Sequence, residues 1–110
     1  MAYDEQLATR LRDIVAGEPG LSEQKMFGGL AFLINGNMAV AASGQGGLML
    51  RVEPDRTEEL AAEAHAQPFV MRDREMKGWL RVDPAGLTTD ADLERWTALG
   101  VAYAGSLPPK

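Results

Sequence analysis

The chain contains no cysteine, which excludes disulfide bonds, zinc–thiolate sites, iron–sulfur clusters and a cysteine nucleophile. This absence fits a reducing compartment. Long apolar runs are also missing, because no stretch approaches the ~20 residues that a membrane-spanning helix needs. The N-terminal stretch MAYDEQLATR is acidic, whereas a signal peptide begins with a basic segment and continues with an apolar one. These absences predict a soluble, cytoplasmic protein that does not enter a membrane.

Residues suited to catalysis are scarce as well. His65 is the single histidine, and no motif near it resembles a nucleophile site. We interpret it as a surface residue near the C-terminus of a helix, where histidine is favourable. The acidic residues are scattered and form none of the known metal-binding strings. We therefore expect no metal, no cofactor and no enzymatic activity.

The charge balance is acidic, with 16 Asp and Glu against 11 Lys and Arg and a net charge of −5. Affinity for DNA comes mostly from Lys and Arg side chains that neutralise phosphates. An acidic chain is therefore a poor DNA binder unless its basic residues cluster. Direct DNA binding is not our main expectation.

The order of the predicted elements indicates the fold class. The 110 residues suffice for one core, so we expect a single domain over residues 1–110. A helix is predicted from Asp4, its N-cap, to about Ala16. Three strands are predicted next, the last of them LMLRV (48–52). A short helix lies within EPDRTEELAAEAHAQ, and two further strands cover 68–71 and 76–82. A last helix starts at Thr89 or Asp90. This order, α-β-β-β-α-β-β-α, predicts an α+β, two-layer fold with a mainly antiparallel five-stranded sheet and flanking helices.

The stretch KMFGGLAFLINGNM (25–38) contains glycines that could suggest a phosphate-binding loop. It matches neither the P-loop nor the dinucleotide-binding fingerprint, and a strand rather than a helix follows it. We expect Gly28 and Gly29 to bend or bulge the strand as it enters a hairpin. Asn35-Gly36 predicts the type I′ turn of that hairpin, because both central residues need positive φ.

Basic residues fall in or beside the predicted strands: Lys25, Arg51, Arg72, Arg74, Lys77 and Arg81. Two interpretations are open. The cations could share one sheet face as a partner-binding or anion-binding patch, or each could be the polar position of a half-exposed strand. Trp79 adds an aromatic contact residue to the first interpretation. The predicted contact residues are Lys25, Arg51, Arg74, Lys77, Trp79 and Arg81.

Four segments occur in a characteristic order: KMFGGLAFLINGNM, LMLRV, PFVMRDREMKGWLRV and DLERWTALGVAYAGSLPPK. This series, from about Leu7 to Lys110, resembles the N-terminal domain of the TfoX/Sxy family. The resemblance implies a small α+β domain. Full-length members of the family regulate bacterial competence genes, as co-activators beside a cyclic-AMP receptor protein, and carry a helical C-terminal domain. We expect a single-domain member, because the chain stops where the first domain would end, and the family offers no catalytic residues to transfer.

Three functional hypotheses follow. The first is a non-enzymatic regulatory domain that acts through protein–protein contact. The second is direct nucleic-acid binding through the strand cations, which requires that they converge in space. The third is a small-molecule sensor with a pocket between helix and sheet. A homodimer, formed through an uncovered strand edge or through sheet faces, is a further expectation.

Overall fold

The computed structural model describes residues 4–26, 28–44, 46–71 and 73–109, and within them one antiparallel sheet has six strands. Its strands are β1 (Leu21–Met26), β2 (Gly29–Ile34), β3 (Asn37–Ala42), β4 (Leu48–Arg51), β5 (Ala66–Met71) and β6 (Arg74–Val82). The spatial order is β1-β2-β3-β4-β6-β5. Strands β1 and β5 therefore form the two edges.

The described residues also contain three α-helices, which are α1 (Glu5–Val15), α2 (Thr57–Ala61) and α3 (Asp90–Ser106). The predicted caps are confirmed. Oδ1 of Asp4 accepts hydrogen bonds from the backbone N–H groups of Gln6 and Leu7, and Oγ1 of Thr89 accepts one from Asp92. Short 3₁₀ turns precede α2 (Pro54–Arg56) and α3 (Pro84–Leu87). None of the helices in the described ranges combines the length and apolar character needed to cross a bilayer.

The α+β class with an antiparallel sheet is confirmed, and the strand count differs by one, since six strands occur in the described residues where five were predicted. The additional strand is β1, LSEQKM. Its four central side chains are polar and exposed, so it lacks the apolar alternation that marks a half-buried strand. Helix α2 is also shorter than predicted. The chain turns at His65, which has a φ of 67° and whose carbonyl accepts a hydrogen bond from the N–H of Asp83.

Both glycine predictions concern the first two hairpins. Asn35 and Gly36 have φ values of 53° and 84°, which confirms the expected turn between β2 and β3. Gly28 has a φ of 76° and lies in the turn between β1 and β2. A side chain at Gly29 would collide with the carbonyl oxygen of Ala42. Gly28 thus serves a turn between two strands rather than a bend within one, and Gly29 begins β2 where the backbone of Ala42 comes close. Phe27 lies outside the described residues.

The two faces of the sheet have different neighbours. We call one the helix face, because its side chains pack with residues of all three helices into the main core: Leu30, Phe32, Val40, Leu48, Leu50, Leu80 and Val82. The second face carries Ala31, Leu33, Met38, Ala41, Met49 and Trp79. In the described part of the chain, the apolar cluster on the second face contains strand residues alone. Ala31, Leu33, Met38 and Ala41 are themselves buried, so the partly exposed members of this cluster are Met49 and Trp79.

Candidate functional site

A cross-strand pair at the end of β4 forms the centre of the candidate site. Arg51 lies directly opposite Trp79 in the β4–β6 ladder, so both side chains leave the sheet on the same face. Leu50 and Leu80, the preceding pair, are buried in the main core. Alternation therefore places Arg51 and Trp79 on the second face. Cζ of Arg51 is 5.4 Å from the centroid of the Trp79 ring.

Helix α3 contributes a second aromatic ring to Arg51. The centroid of Tyr103 lies 5.7 Å from Cζ of Arg51, so both rings are within the ~6 Å range of a cation–π contact. Among the described residues, no carboxylate pairs with Arg51 and no acceptor takes a hydrogen bond from it. Its guanidinium has a planar fork of N–H donors that matches a carboxylate. The two rings thus hold a cation whose donors remain available.

Arg81 lies beside this pair but has a structural role as well. It is opposite Met49 in the β4–β6 ladder, on the second face. Its Nη2 donates a hydrogen bond of 2.8 Å to the carbonyl of Gly46, and its Nη1 donates one of 3.4 Å to Oγ of Ser43. Both acceptors belong to the loop between β3 and β4. Arg81 therefore fixes this loop against β6.

The other predicted contact residues lie elsewhere. Lys25 is opposite Leu30, which places it on the helix face of the edge strand β1. Lys77 and Arg74 lie in the exposed half of β6 that precedes Gly78 and extends past the end of β4. Arg74 is opposite Met71 at the far end of the hairpin, roughly 17 Å along the strand from Trp79 at the usual rise per residue. Arg72 lies outside the described residues.

The structure thus brings together Arg51, Trp79 and Arg81, and leaves Lys25, Arg74 and Lys77 outside this group. Sequence reasoning missed Tyr103 and Met49. Tyr103 lies in the last predicted helix, and the sequence of that helix gives no sign of its contact with Arg51. Met49 was assigned to its strand, and its neighbours on the second face depend on the register of β4 between β3 and β6.

A groove lies next to Tyr103, between the segment that leads into α2 and the helix α3. It has a volume of about 390 Å³ and is lined by Val52, Glu53, Arg56, Leu60, Leu99, Ala102, Tyr103 and Ser106. Its walls combine aliphatic side chains with groups that can hydrogen bond. A small polar molecule could be held there by a few oriented contacts.

Ion pairs elsewhere on the surface join helices to other parts of the fold. Nε of Arg12 donates a 2.8 Å hydrogen bond to Glu23, and Nη2 of Arg95 donates a 2.6 Å one to Glu63. These hydrogen bonds lower the pKa of both carboxyl groups. The described residues contain no cluster of three or more His, Asp or Glu side chains that could hold a metal ion.

Comparison with known proteins identifies a family whose model covers most of this chain. The family model of the TfoX N-terminal domain matches residues 13–104. This range covers most of the chain and includes Arg51, Trp79 and Tyr103, so the resemblance found in the sequence is confirmed. No curated protein and no solved structure matches the chain.

Proposed function

This chain belongs to the TfoX N-terminal domain family, and from that premise we propose that it is a non-enzymatic regulatory domain that acts through protein–protein contact. Regulation of competence or of transcription, the role that the family resemblance implies, is part of the proposal. The observation that carries it is Arg51, whose guanidinium lies within cation–π range of Trp79 on β6 and of Tyr103 on α3.

The residue types at this surface favour a protein partner. Tryptophan, tyrosine and arginine are the side chains on which binding energy concentrates in protein interfaces. Trp79 and Met49 are partly exposed and pack on the buried apolar cluster of the second face. Arg51 is already ordered by the two rings, so less side-chain entropy is lost when it binds. We expect the partner to offer a carboxylate to Arg51 and an apolar side chain to Trp79.

The test compares two arginine–tryptophan pairs of the same chain. Tagged wild type and the variants Trp79→Ala and Arg51→Ala are used to capture proteins from the native lysate, with quantitative mass spectrometry. Arg95→Ala is the matched control, since Arg95 also stacks on a tryptophan but lies on α3. We expect a reproducible partner that Trp79→Ala loses by roughly thirtyfold, the effect of a hot-spot residue, and that Arg95→Ala retains.

Two results would contradict the proposal. Wild type could capture no reproducible partner, or all the variants could capture the same partner equally well. Circular dichroism and thermal unfolding of each variant establish that a loss of capture does not come from a loss of fold.

A second candidate function is binding of a small molecule in the groove beside Tyr103. The observation that favours it is the mixed lining, in which Glu53, Arg56 and Ser106 occur together with aliphatic side chains. Fragment screening by NMR would test it, with Ala102→Trp as the variant that fills the groove.

The nucleic-acid alternative gains no such support, because Lys25 lies on the opposite sheet face from Arg51 and Arg81.

A further inference from the structure

The two edges of the sheet differ in what they offer to another strand. Edge strand β5 carries Pro68, which has no N–H group, its register with β6 shifts between Pro68 and Val70, and α2 packs beside it. Edge strand β1 pairs with β2 over its whole length without a register shift. Its side chains from Ser22 to Lys25 are exposed. Strand β1 is thus a regular edge to which a further strand can be added.

The hydrogen bonds of β1 show which of its backbone groups point outward. The N–H of Asn35 donates a 2.9 Å hydrogen bond to the carbonyl of Gly20, one position before the pair Leu21–Ile34. Hydrogen-bonded and non-hydrogen-bonded pairs alternate along an antiparallel ladder. Leu21, Glu23 and Lys25 consequently direct their N–H and C=O groups away from β2. These groups can bind another strand.

We propose that this chain forms a homodimer in which two β1 strands pair antiparallel about a twofold axis at Gln24. In this register Glu23 lies opposite Lys25 of the second copy, and Lys25 lies opposite Glu23 of the second copy. The outward backbone groups of these residues then meet as hydrogen-bonded pairs. Opposite charges placed directly across a ladder are favourable, and like charges are unfavourable.

Neighbouring registers lack this complementarity. A twofold axis at Glu23 would place the two Glu23 side chains opposite each other, and an axis at Lys25 would do the same with lysine. A register shifted by a single residue would set outward backbone groups against inward ones, so that no ladder forms. Charge and hydrogen-bond direction together select the register centred on Gln24.

In the described part of the chain, β2 is the main neighbour of β1, so the outer edge of β1 faces away from the rest of the described fold. Helix α1 packs mainly on β3 and α3, and it reaches β1 through the ion pair of Arg12 with Glu23 on the helix face. A second copy would approach along the outer edge of β1 and bring its Lys25 close to the carboxylate of Glu23. The resulting sheet would run through both copies. The dimer uses an edge far from Trp79, so it is independent of the proposed function.

A cysteine introduced at the axis tests the register. The natural chain has no cysteine, so the thiol of Gln24→Cys can pair only with its copy. At a non-hydrogen-bonded pair the two Cα atoms are about 4.5 Å apart, within the range of a disulfide. Ser22→Cys is the matched control, on the same strand and face. Its two Cα atoms would be about 14 Å apart, four residues along the ladder.

Under mild oxidation we expect Gln24→Cys to form a disulfide-linked dimer on a non-reducing gel. Ser22→Cys should form no cross-link, although it keeps the non-covalent dimer. Equal cross-linking of the two variants, or none in either, would overturn the proposed register. Thermal unfolding of the reduced proteins shows whether each variant is folded, and sedimentation velocity of the wild type shows whether a dimer forms without any cross-link.

Charge reversal provides a second, independent measurement. Lys25→Glu alone and Glu23→Lys alone each set like charges across the axis, so each variant should dimerise about tenfold more weakly than wild type. A mixture of the two variants restores opposite charges at both positions and should form a heterodimer. A wild type that sediments as a monomer, or single variants that dimerise as well as wild type, would contradict the proposal.

Discussion

Two arginine–tryptophan pairs occur in the described part of the chain, and their surroundings differ. Arg95 stacks on Trp96 with its Cζ 4.8 Å from the ring centroid, while Trp96 is 3% exposed and belongs to the main core. Arg95 also bonds to the carboxylate of Glu63. Arg51 stacks on Trp79 at 5.4 Å, but Trp79 is only partly buried and no described carboxylate pairs with Arg51. The α3 pair is satisfied within the fold, whereas the sheet pair would complete its contacts with a partner under the proposed function.

The difference shows that residue type alone does not identify a binding site. Both pairs contain the side chains that dominate protein interfaces. What separates them is the contacts that remain unused after folding. The ring of Trp96 is buried in the core, and part of the guanidinium of Arg95 already donates a hydrogen bond to Glu63. Neither group is fully available to a partner. The predictions below test whether this separation holds, beginning with the largest effect.

The first prediction removes the ring of Trp96 and the ring of Trp79 in separate variants. Trp96→Ala should lower the free energy of unfolding by about 3–5 kcal/mol, because it removes a large side chain from the main core. Trp79→Ala should cost about 1 kcal/mol or less, in line with partly exposed sites. Urea unfolding of both variants measures the two values. Equal losses would mean that Trp79 is a core residue, and the comparison between the two pairs would be wrong.

The second prediction concerns how α3 reaches both aromatic sites. A side chain at Gly100 would collide with the carbonyl oxygen of Ala39, whereas nothing lies within 4 Å of one at Gly105. Gly100→Ala should therefore destabilise the protein by about 1–3 kcal/mol. Gly105→Ala, the matched control in the same helix, should stabilise it by up to about 1 kcal/mol through helix propensity. Thermal unfolding distinguishes the two, and a stabilising Gly100→Ala would contradict the close packing of α3.

Local features were predictable from the sequence because neighbouring residues determine them. The caps at Asp4 and Thr89 depend on a side chain that reaches the first turn of its own helix. The turn at Asn35-Gly36 depends on the backbone conformations that these two residues tolerate. In each case the residues that decide the structure stand next to each other in the chain.

Long-range features were not predictable in the same way. Strand β1 is a polar edge whose pattern resembles a loop, and without it the face of Lys25 could not be assigned. The contact between Arg51 and Tyr103 depends on how α3 packs on the sheet, where Gly100 lies close to the backbone of Ala39. Residue spacing along the chain does not predict this packing. The candidate site was consequently predicted in part: Arg51 and Trp79 were named among the contact residues, but their pairing across the strands and the ring of Tyr103 were not.

The third prediction measures the ion pair that distinguishes the two arginines. A double-mutant cycle with Arg95→Ala and Glu63→Gln should give a coupling free energy of about 0.2–1 kcal/mol, typical of an exposed pair. The matched cycle uses Arg51→Ala and Glu53→Gln, a nearby carboxylate with no ion pair to Arg51 among the described residues. It should give a coupling near zero. A strong coupling in the second cycle would mean that Arg51 is satisfied within the fold.

The smallest expected effect is the pH dependence of the Arg95–Glu63 coupling. The hydrogen bond from Arg95 lowers the pKa of Glu63 below its usual value of 4.5, so the folded state binds this proton less readily than the unfolded state. The stabilisation is therefore complete above the unfolded pKa and is lost as the pH falls through the folded pKa. Both side chains are more than a third exposed, which limits the change to a fraction of about 1 kcal/mol. Urea unfolding of wild type and Glu63→Gln from pH 7 down into the acid range should show their difference shrinking below about pH 4.5. A difference that grows on acidification would contradict the sign, and would mean that Arg95 does not hold the ionised form of Glu63.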